Sequence, residues 1–324
     1  MQESLFIGRD KELQICLDFQ KEDVPWILVI MGMGGSGKTS LLQELKKQMP
    51  YQMVELDFAG EAQRLRPLKG ERLPIDSLTR LSNFALNVRD KCDPQKYKEF
   101  HEELAKARKI VVKQRVPQYI GSLTQDVHLD SGATMTDNRV IMDTSEDPVM
   151  QDIRREAREL VTEAFYALMD TYSPSRLVIS LDTCEWLMGS VNAEIGLWMQ
   201  ELLLGLHSRM LQKNKQCHVF IASSVKLQLK AIAQQYRAEL TLRMLDQEVV
   251  HQHLQSIGIQ DAEIRQRIYE ITHGHASCVS IICNLLLKLE FRLNSCEARR
   301  EAVRAMFYEN RVNPVYRPLD TKLV

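Results

Sequence analysis

The sequence GMGGSGKT, residues 32–39, directly follows a short apolar run, residues 26–31. Four glycines remove side chains from this connection, so backbone N–H groups can approach an anion closely, and glycine also reaches positive φ angles. The pattern is G-x-x-x-x-G-K-[ST], the P-loop, in which the backbone cradles phosphates after a strand and before a helix. It therefore predicts a nucleotide site at the end of a buried strand.

The residues of this loop have different predicted roles. Lys38 is expected to bridge the β- and γ-phosphates, and the Thr39 hydroxyl is expected to bind Mg²⁺. A helix that begins near Lys38 directs the positive end of its dipole at the anion. The alternative is a glycine-rich turn without a ligand. The other predicted contacts to the nucleotide are Gly32, Gly34, Gly35, Ser36, Gly37 and Ser40.

A carboxylate site is predicted in the run LVISLDTCEWL, residues 177–187. Mg²⁺ needs a hard oxygen ligand from another part of the sheet, and Asp182 closes an apolar strand where such a Walker B ligand belongs. Glu185 is a candidate to polarise the attacking water. A helix cap at Asp182 and a solvated acid at Glu185 are the alternatives. Ser223 and Ser224 end another predicted strand, either as γ-phosphate contacts or as plain strand-end residues.

Strands and helices alternate up to about residue 242, and only helices follow. This order predicts an α/β fold with a parallel five-stranded sheet flanked by helices, followed by a small helical lid. The predicted strands are 26–31, 51–58, 176–182, 218–223 and 239–242. The predicted helices are 38–48, 75–90, 95–114, 152–170, 193–211, 226–236, 247–256, 262–272 and 277–293, with caps at Asp246, Gly258, Asp261 and Gly274.

The same pattern divides the chain into three predicted parts. An α/β domain covers 1–243, a helical lid covers 244–295, and a C-terminal helix and tail cover 296–324. Within the first part, residues 116–148 are polar and contain two glycines and many Asp, Ser and Thr. We interpret them as a surface excursion from the domain.

Composition and charge argue against a general nucleic-acid binder, a membrane protein and a secreted protein. The chain has 42 Lys and Arg against 43 Asp and Glu, so its charge provides no general attraction for nucleic acid. No apolar run approaches the roughly 20 residues of a membrane span, and the first residues contain no secretory signal. The 7 cysteines are scattered, which predicts reduced thiols. We therefore expect a cytoplasmic protein without a membrane partner.

Four segments occur in a characteristic order: FIGRDKEL at 6–13, the P-loop, the strand ending at Asp182, and YEITHGHASCVSIICNLL at 269–286. This order resembles the STAND class of P-loop ATPases, which are related to AAA+ proteins and to origin-recognition, NB-ARC and NACHT-like ATPases. The resemblance implies ATP or ADP with Mg²⁺ as cofactors. It also implies an adenine contact at Phe6, Ile7 and Gly8, a phosphate or nucleotide-state contact at Arg9, and a lid corner at Gly274.

The sequence departs from this family in two places: Ala276 stands where the lid often has proline, and Ser224 stands where an arginine often follows the fourth strand. The resemblance implies an ATP-driven signalling or defence switch with slow hydrolysis and self-association on ATP binding, in which residues 247–293 close over the nucleotide. One alternative is a nucleic-acid-associated AAA+ loader or transposition-type ATPase, supported by the basic run at 106–115. Another is a nucleotide-binding scaffold without hydrolysis.

Replacement of Lys38 tests the predicted loop. Lys38→Ala removes charge-assisted contacts to phosphate, which are about twice as strong as neutral hydrogen bonds. We expect the variant to lose nucleotide binding and to keep its fold. Calorimetric titration with ATP measures binding, and circular dichroism checks the fold. Equal ATP affinity of variant and parent would contradict the assignment of this loop.

Overall fold

A computed structural model describes residues 8–21, 24–58, 77–125, 148–188 and 193–290. Its strands form one sheet in the order β2-β3-β4-β1-β5, and all neighbouring strands are parallel. The predicted five-stranded parallel α/β fold is therefore confirmed. The strands are β1 (Ile27–Met31), β2 (Met53–Asp57), β3 (Arg176–Asp182), β4 (Gln216–Ser223) and β5 (Arg237–Thr241).

Helices follow most strands, and none of those in the described ranges is both long and apolar enough to cross a membrane. Successive side chains of a strand point to opposite faces, so a sheet buried on both faces reads as a continuous apolar run. The helices are α1 (Asp10–Phe19), α2 (Lys38–Gln48), α3 (Ser77–Val88), α4 (Pro94–Gln125), α5 (Pro148–Met169), α6 (Ala193–Gln212), α7 (Gln247–Ser256), α8 (Ala262–Thr272) and α9 (Ala276–Glu290).

The two faces of the sheet pack against different helices. Val29, Ile179 and Ile221 belong to one large buried cluster with residues of α3, α4, α5 and α6. On the opposite face, the Phe19 ring of α1 contacts Phe220 of β4 edge-on, with ring centroids 5.5 Å apart. Burial on both faces fixes the positions of the strands, and therefore the positions of the loops at their carboxyl ends.

The helix predicted at 226–236 is wrong. Most of this segment is irregular, and Leu229 and Ile232 pack into the core. The side chain of Gln200 on α6 provides its hydrogen bonds: the amide donates to the Gln228 carbonyl at 3.4 Å, and the amide oxygen accepts the Ala231 N–H at 3.0 Å. Side chain–backbone bonds thus replace the helical ladder that the apolar spacing suggested.

The excursion predicted from residue 116 begins instead as helix, because α4 continues to Gln125. Gly121 and the many polar residues after residue 116 suggested an earlier end, because glycine disfavours helix interiors. Helix α4 packs along α5. The rest of the predicted excursion, up to the start of α5, lies outside the described residues.

The described chain packs as two compact units. The larger contains the sheet and spans Asp10–Gly34 and Lys38–Leu242. The smaller contains residues 8–9, Gly35–Gly37 and 243–290. Its core consists of Leu245, Val250, Leu254, Ile268, Val279 and Cys283. The change of unit at Arg243 lies beside the predicted boundary, but three loop residues pack with the helices, so the division into domains stays a prediction.

The predicted helix caps of the smaller unit differ in how they are built. Asp261 accepts the N–H groups of Glu263 and Ile264 at 2.9 and 3.2 Å, as a capping side chain does. Asp246 occupies the same position before α7, but its side chain makes no cap hydrogen bond. Gly258 follows α7 with φ +96°, a conformation that favours glycine.

Two residues of α3 test where its stability comes from. Phe84 is 1% exposed and meets the Phe165 ring edge-on at 5.0 Å, whereas Leu86 is 59% exposed. We expect Phe84→Ala to lower the free energy of unfolding by about 3–5 kcal/mol, and Leu86→Ala to change it by less than about 0.5 kcal/mol. Urea unfolding followed by circular dichroism measures both. Similar losses in the two variants would contradict the assigned packing of α3.

Candidate functional site

The glycine-rich loop connects the carboxyl end of β1 to the first residue of α2. Gly35 and Gly37 have φ angles of +75° and +98°, in the left-handed region that side chains disfavour. A Cβ atom on Gly34 would meet no atom within 4 Å. The loop therefore has both the backbone conformation and the open space that close approach to a phosphate requires.

Lys38 lies at the start of α2 with only 8% of its surface exposed. Its Nζ donates to the carbonyls of Gly32 and Met33 at 2.7 and 3.1 Å. Burial lowers the pKa of the ammonium group, and the nearby carboxylates of Glu185 and Asp182 oppose this shift. A positive charge is thus held inside the loop, close to two acids.

Thr39 and Asp182 are brought together by the fold. The Thr39 hydroxyl donates to Asp182 Oδ2 at 2.7 Å, although β4 separates β1 from β3 and the two strands are thus about 10 Å apart. Burial raises the pKa of Asp182, and hydrogen bonds from the Thr39 hydroxyl and the Thr183 N–H oppose this rise. A hydroxyl and a carboxylate are hard oxygen donors, so this pair fits Mg²⁺.

These two residues are the candidate metal ligands that the structure offers at the loop. Within the described ranges, no group of three or more His, Cys, Asp and Glu side chains is placed to hold a metal ion. Mg²⁺ keeps several waters and is commonly held by one or two protein groups together with substrate phosphates. A site with one carboxylate and one hydroxyl matches that mode of binding.

Glu185 lies in the 3₁₀ turn Cys184–Met188, directly after β3. Its Oε2 accepts the backbone N–H of Ser224, at the end of β4, at 3.1 Å. Glu185 is half-buried and tied to the neighbouring strand, so it is not a freely solvated acid. The Ser223 hydroxyl is buried and donates to the Val225 carbonyl at 2.8 Å, which favours the strand-end interpretation of Ser223.

Sequence reasoning missed Asp57, the last residue of β2. The pairing of β2 with β3 places Asp57 opposite Asp182. Thr183 bridges the two acids: its N–H donates to Asp182 Oδ1 at 2.8 Å, and its hydroxyl donates to Asp57 Oδ1 at 3.1 Å. A signal was present, because the apolar runs of both strands end in Leu-Asp.

The smaller unit holds other predicted site residues. Arg9 is 5% exposed, and its Nη2 donates to the Ser36 carbonyl at 3.2 Å and also to the Arg243 carbonyl. Arg9 therefore binds backbone in this structure, including that of the loop. The Ser36 hydroxyl is buried and makes no hydrogen bond within the described part of the chain. Phe6 and Ile7, the predicted adenine contacts, lie outside the described residues.

The loop residues of the smaller unit contact its helical segment. The Gly35 carbonyl accepts the Ser277 N–H at 3.0 Å, and a Cβ atom on Gly35 would clash with His275 and Ser277. Gly274 has φ +73°, and a side chain there would clash with the Leu245 carbonyl. Gly8 has φ +54°, and a side chain there would clash with Val249. Positive φ favours glycine at all three positions, and at Gly274 the close backbone of Leu245 also leaves no room for a side chain.

Two neighbouring glycines of the loop provide a matched test. Gly35→Ala combines a left-handed φ with a clash, and we expect it to lower the free energy of unfolding by more than about 1 kcal/mol. Gly34→Ala meets no atom, and we expect no loss of stability. Thermal unfolding without added nucleotide measures both variants. Full stability of Gly35→Ala would show that the contact with His275 and Ser277 is not formed.

Comparisons with known proteins give partial similarities. No protein-family model matches the chain. A tRNA dimethylallyltransferase of Blochmanniella floridana is 30% identical over 105 residues, which cover 32% of this chain and 32% of that protein. The chain therefore spans about a third of this curated relative.

Two solved structures resemble the chain over most of its length. One is a Signal Transduction ATPase with Numerous Domains (STAND) protein with a tetratricopeptide repeat sensor from Pyrococcus horikoshii, at 16% identity and a TM-score of 0.38, covering 94% of this chain and 33% of that one. The other is Drosophila ORC bound to DNA, at 12% identity and a TM-score of 0.45, covering 95% of this chain and 63% of that one. Likenesses of this size establish neither the family nor the activity of the chain.

Proposed function

We propose that this chain binds ATP with Mg²⁺ at residues 32–40 and hydrolyses it slowly, as a molecular switch of the STAND type. The observation that carries the proposal is the hydrogen bond between Thr39 and Asp182, next to the buried ammonium of Lys38. A hydroxyl, a carboxylate and a cation in this arrangement match the groups that hold Mg²⁺ and phosphates in P-loop NTPases.

The residues divide the proposed chemistry between them. Thr39 and Asp182 would hold Mg²⁺, which would neutralise part of the charge on the phosphates. Lys38 exchanges its carbonyl partners for phosphate oxygens and stabilises the charge that develops on them. Glu185 is held by Ser224, and a carboxylate has about four lone-pair positions, so it can also accept a hydrogen bond from the attacking water. The buried Ser36 hydroxyl is a further group that a phosphate oxygen would satisfy.

The proposed switch rests on the contact between Gly35 and Ser277. The Gly35 carbonyl accepts the N–H of Ser277, in the first turn of α9. A change in the conformation of Gly35 would therefore act directly on that helix. A ligand shifts an equilibrium between two conformations only by its difference in affinity for them. Residues Gly35–Gly37 belong to the smaller unit. A nucleotide that binds them can therefore bind one conformation of that unit more tightly than another.

A second candidate is a P-loop enzyme that acts with nucleic acid. The partial similarity to a protein named as a tRNA dimethylallyltransferase favours it, over about a third of the chain. The net charge of −1 offers no general electrostatic attraction for a polyanion. Binding to RNA or DNA whose strength falls steeply with salt concentration would support this candidate.

Measurement of ATP turnover with matched variants tests the proposed function. We expect the parent to release phosphate slowly from Mg-ATP. Glu185→Gln is expected to keep nucleotide binding and to lower kcat by about 10²–10⁴-fold, the range of a general base. Asp182→Asn is expected to raise the Mg²⁺ concentration needed for binding. Glu201→Gln, at an exposed position on α6, is the control and is expected to behave like the parent.

Three outcomes would contradict different parts of this proposal. If the parent binds Mg-ATP but releases no phosphate, the chain is a nucleotide-binding scaffold. If Glu185→Gln turns over like the parent, another group orients the water. Absence of nucleotide binding by the parent would reject the site itself.

A further inference from the structure

Thr183 has an unusual backbone for its residue type. Its φ is +60°, in the left-handed region, where a β-branched side chain is a genuine outlier. Glycine, asparagine and aspartate are the residues that adopt this conformation most easily. Strained backbone of this kind persists only where the surrounding structure over-determines it, and it clusters at functional sites.

Two hydrogen bonds hold Thr183 in place, and both end on a carboxylate. Its N–H donates to Asp182 Oδ1 at 2.8 Å, and its hydroxyl donates to Asp57 Oδ1 at 3.1 Å. Since Thr39 donates to the other oxygen of Asp182, both oxygens of that carboxylate have fixed partners. The result is a continuous chain of hydrogen bonds from Thr39 through Asp182 and Thr183 to Asp57.

The far end of this chain is anchored by buried groups. Arg80 on α3 is 4% exposed, and its Nη1 donates to the Asp57 carbonyl at 2.6 Å. The same guanidinium lies 5.1 Å from the centre of the Phe58 ring, and the Phe58 N–H donates to the Asp182 carbonyl at 3.1 Å. The backbones of the two acids are therefore fixed to each other and to α3.

We infer that Asp57 and Thr183 are positioning residues of the proposed magnesium site. Asp57 holds the Thr183 hydroxyl, Thr183 holds one oxygen of Asp182, and the carboxylate of Asp182 is thereby oriented with its other oxygen at Thr39. The inference rests on the proposed function, because it concerns the same metal site. Removal of a residue that fixes the orientation of a metal ligand typically lowers metal affinity by roughly 10- to 100-fold.

If Thr183 only formed the turn after β3, its hydrogen bond to Asp57 would have no explanation. A residue that served only to end β3 and begin the 3₁₀ turn would be best as glycine, which carries no penalty at positive φ. Threonine keeps the penalty and adds one group, the hydroxyl that bonds Asp57. The hydroxyl is therefore the feature that distinguishes a positioning role from a turn.

The test compares ATP affinity with and without Mg²⁺ by calorimetric titration of the full chain. In Thr183→Val the branched shape stays and the hydroxyl is lost, and in Asp57→Ala the carboxylate that accepts this hydroxyl is lost. We expect each to raise the Kd for ATP in Mg²⁺ by about tenfold and to leave the Kd in EDTA unchanged. Thr183→Ser restores the hydroxyl and is expected to bind like the parent.

Two controls keep the test specific. Glu55→Gln changes another acid of β2, whose carboxylate pairs with Lys46, and is expected to leave both affinities unchanged. The double variant Asp57→Ala with Thr183→Val is expected to bind no more weakly than either single variant, because both changes break the same hydrogen bond. Thr183→Gly, which relieves the backbone strain and lacks the hydroxyl, replaces Thr183→Val if that variant does not fold.

The outcomes separate this inference from the proposed function. If the parent binds no nucleotide, or binds it equally with Mg²⁺ and EDTA, the proposed magnesium site is rejected and this inference with it. If Asp182→Asn removes the Mg²⁺ dependence while Asp57→Ala and Thr183→Val retain it, only the positioning role is overturned. A merely structural role would lower the unfolding midpoint without changing the ratio of the two affinities.

Discussion

The hydrogen bond between Thr39 and Asp182 joins residues 143 positions apart in the sequence, and the candidate site depends on it. It forms because the sheet is parallel throughout, so that the carboxyl ends of its strands lie on one edge. Ligands of open parallel sheets bind at that edge. Burial of the strands on both faces fixes the edge, and the side chains that follow β1 and β3 then meet without any long-range motif in the sequence.

Opposite charges lie close together around this bond. Burial disfavours the charged form of both Lys38 and Asp182, and each moderates the shift of the other. A buried charge is tolerated when it is paired or hydrogen-bonded, and the Lys38 ammonium has both two carbonyl partners and two nearby acids. In the proposed function, the phosphates add negative charge, and Mg²⁺ and Lys38 would offset part of it.

Local signals were enough to predict the parts of the site that one strand and its next turn create. The glycines after β1 and the aspartate that ends the apolar run of β3 could both be recognised from spacing and residue type. Asp57 could not be assigned, because its role requires that β2 lie beside β3, and strand order is a property of the whole sheet. The same limit applies to Gln200, whose bonds to residues 228–231 replace a helix that the local pattern favoured.

Strand order also bears on how easily the strands that carry the candidate site separate from the sheet. β3, β4 and β1 are inner strands of the described sheet, with a neighbour on each side, whereas β2 is an outer strand paired with β3. Local opening begins where fewer contacts hold the backbone, so outer strands separate at lower free energy than inner ones. We therefore expect the backbone at Asp57 to open at a lower free energy than that at Asp182. On gradual warming, detachment of β2 would release the Thr183 hydroxyl while the loop after β1 and the carboxylate of β3 still face each other.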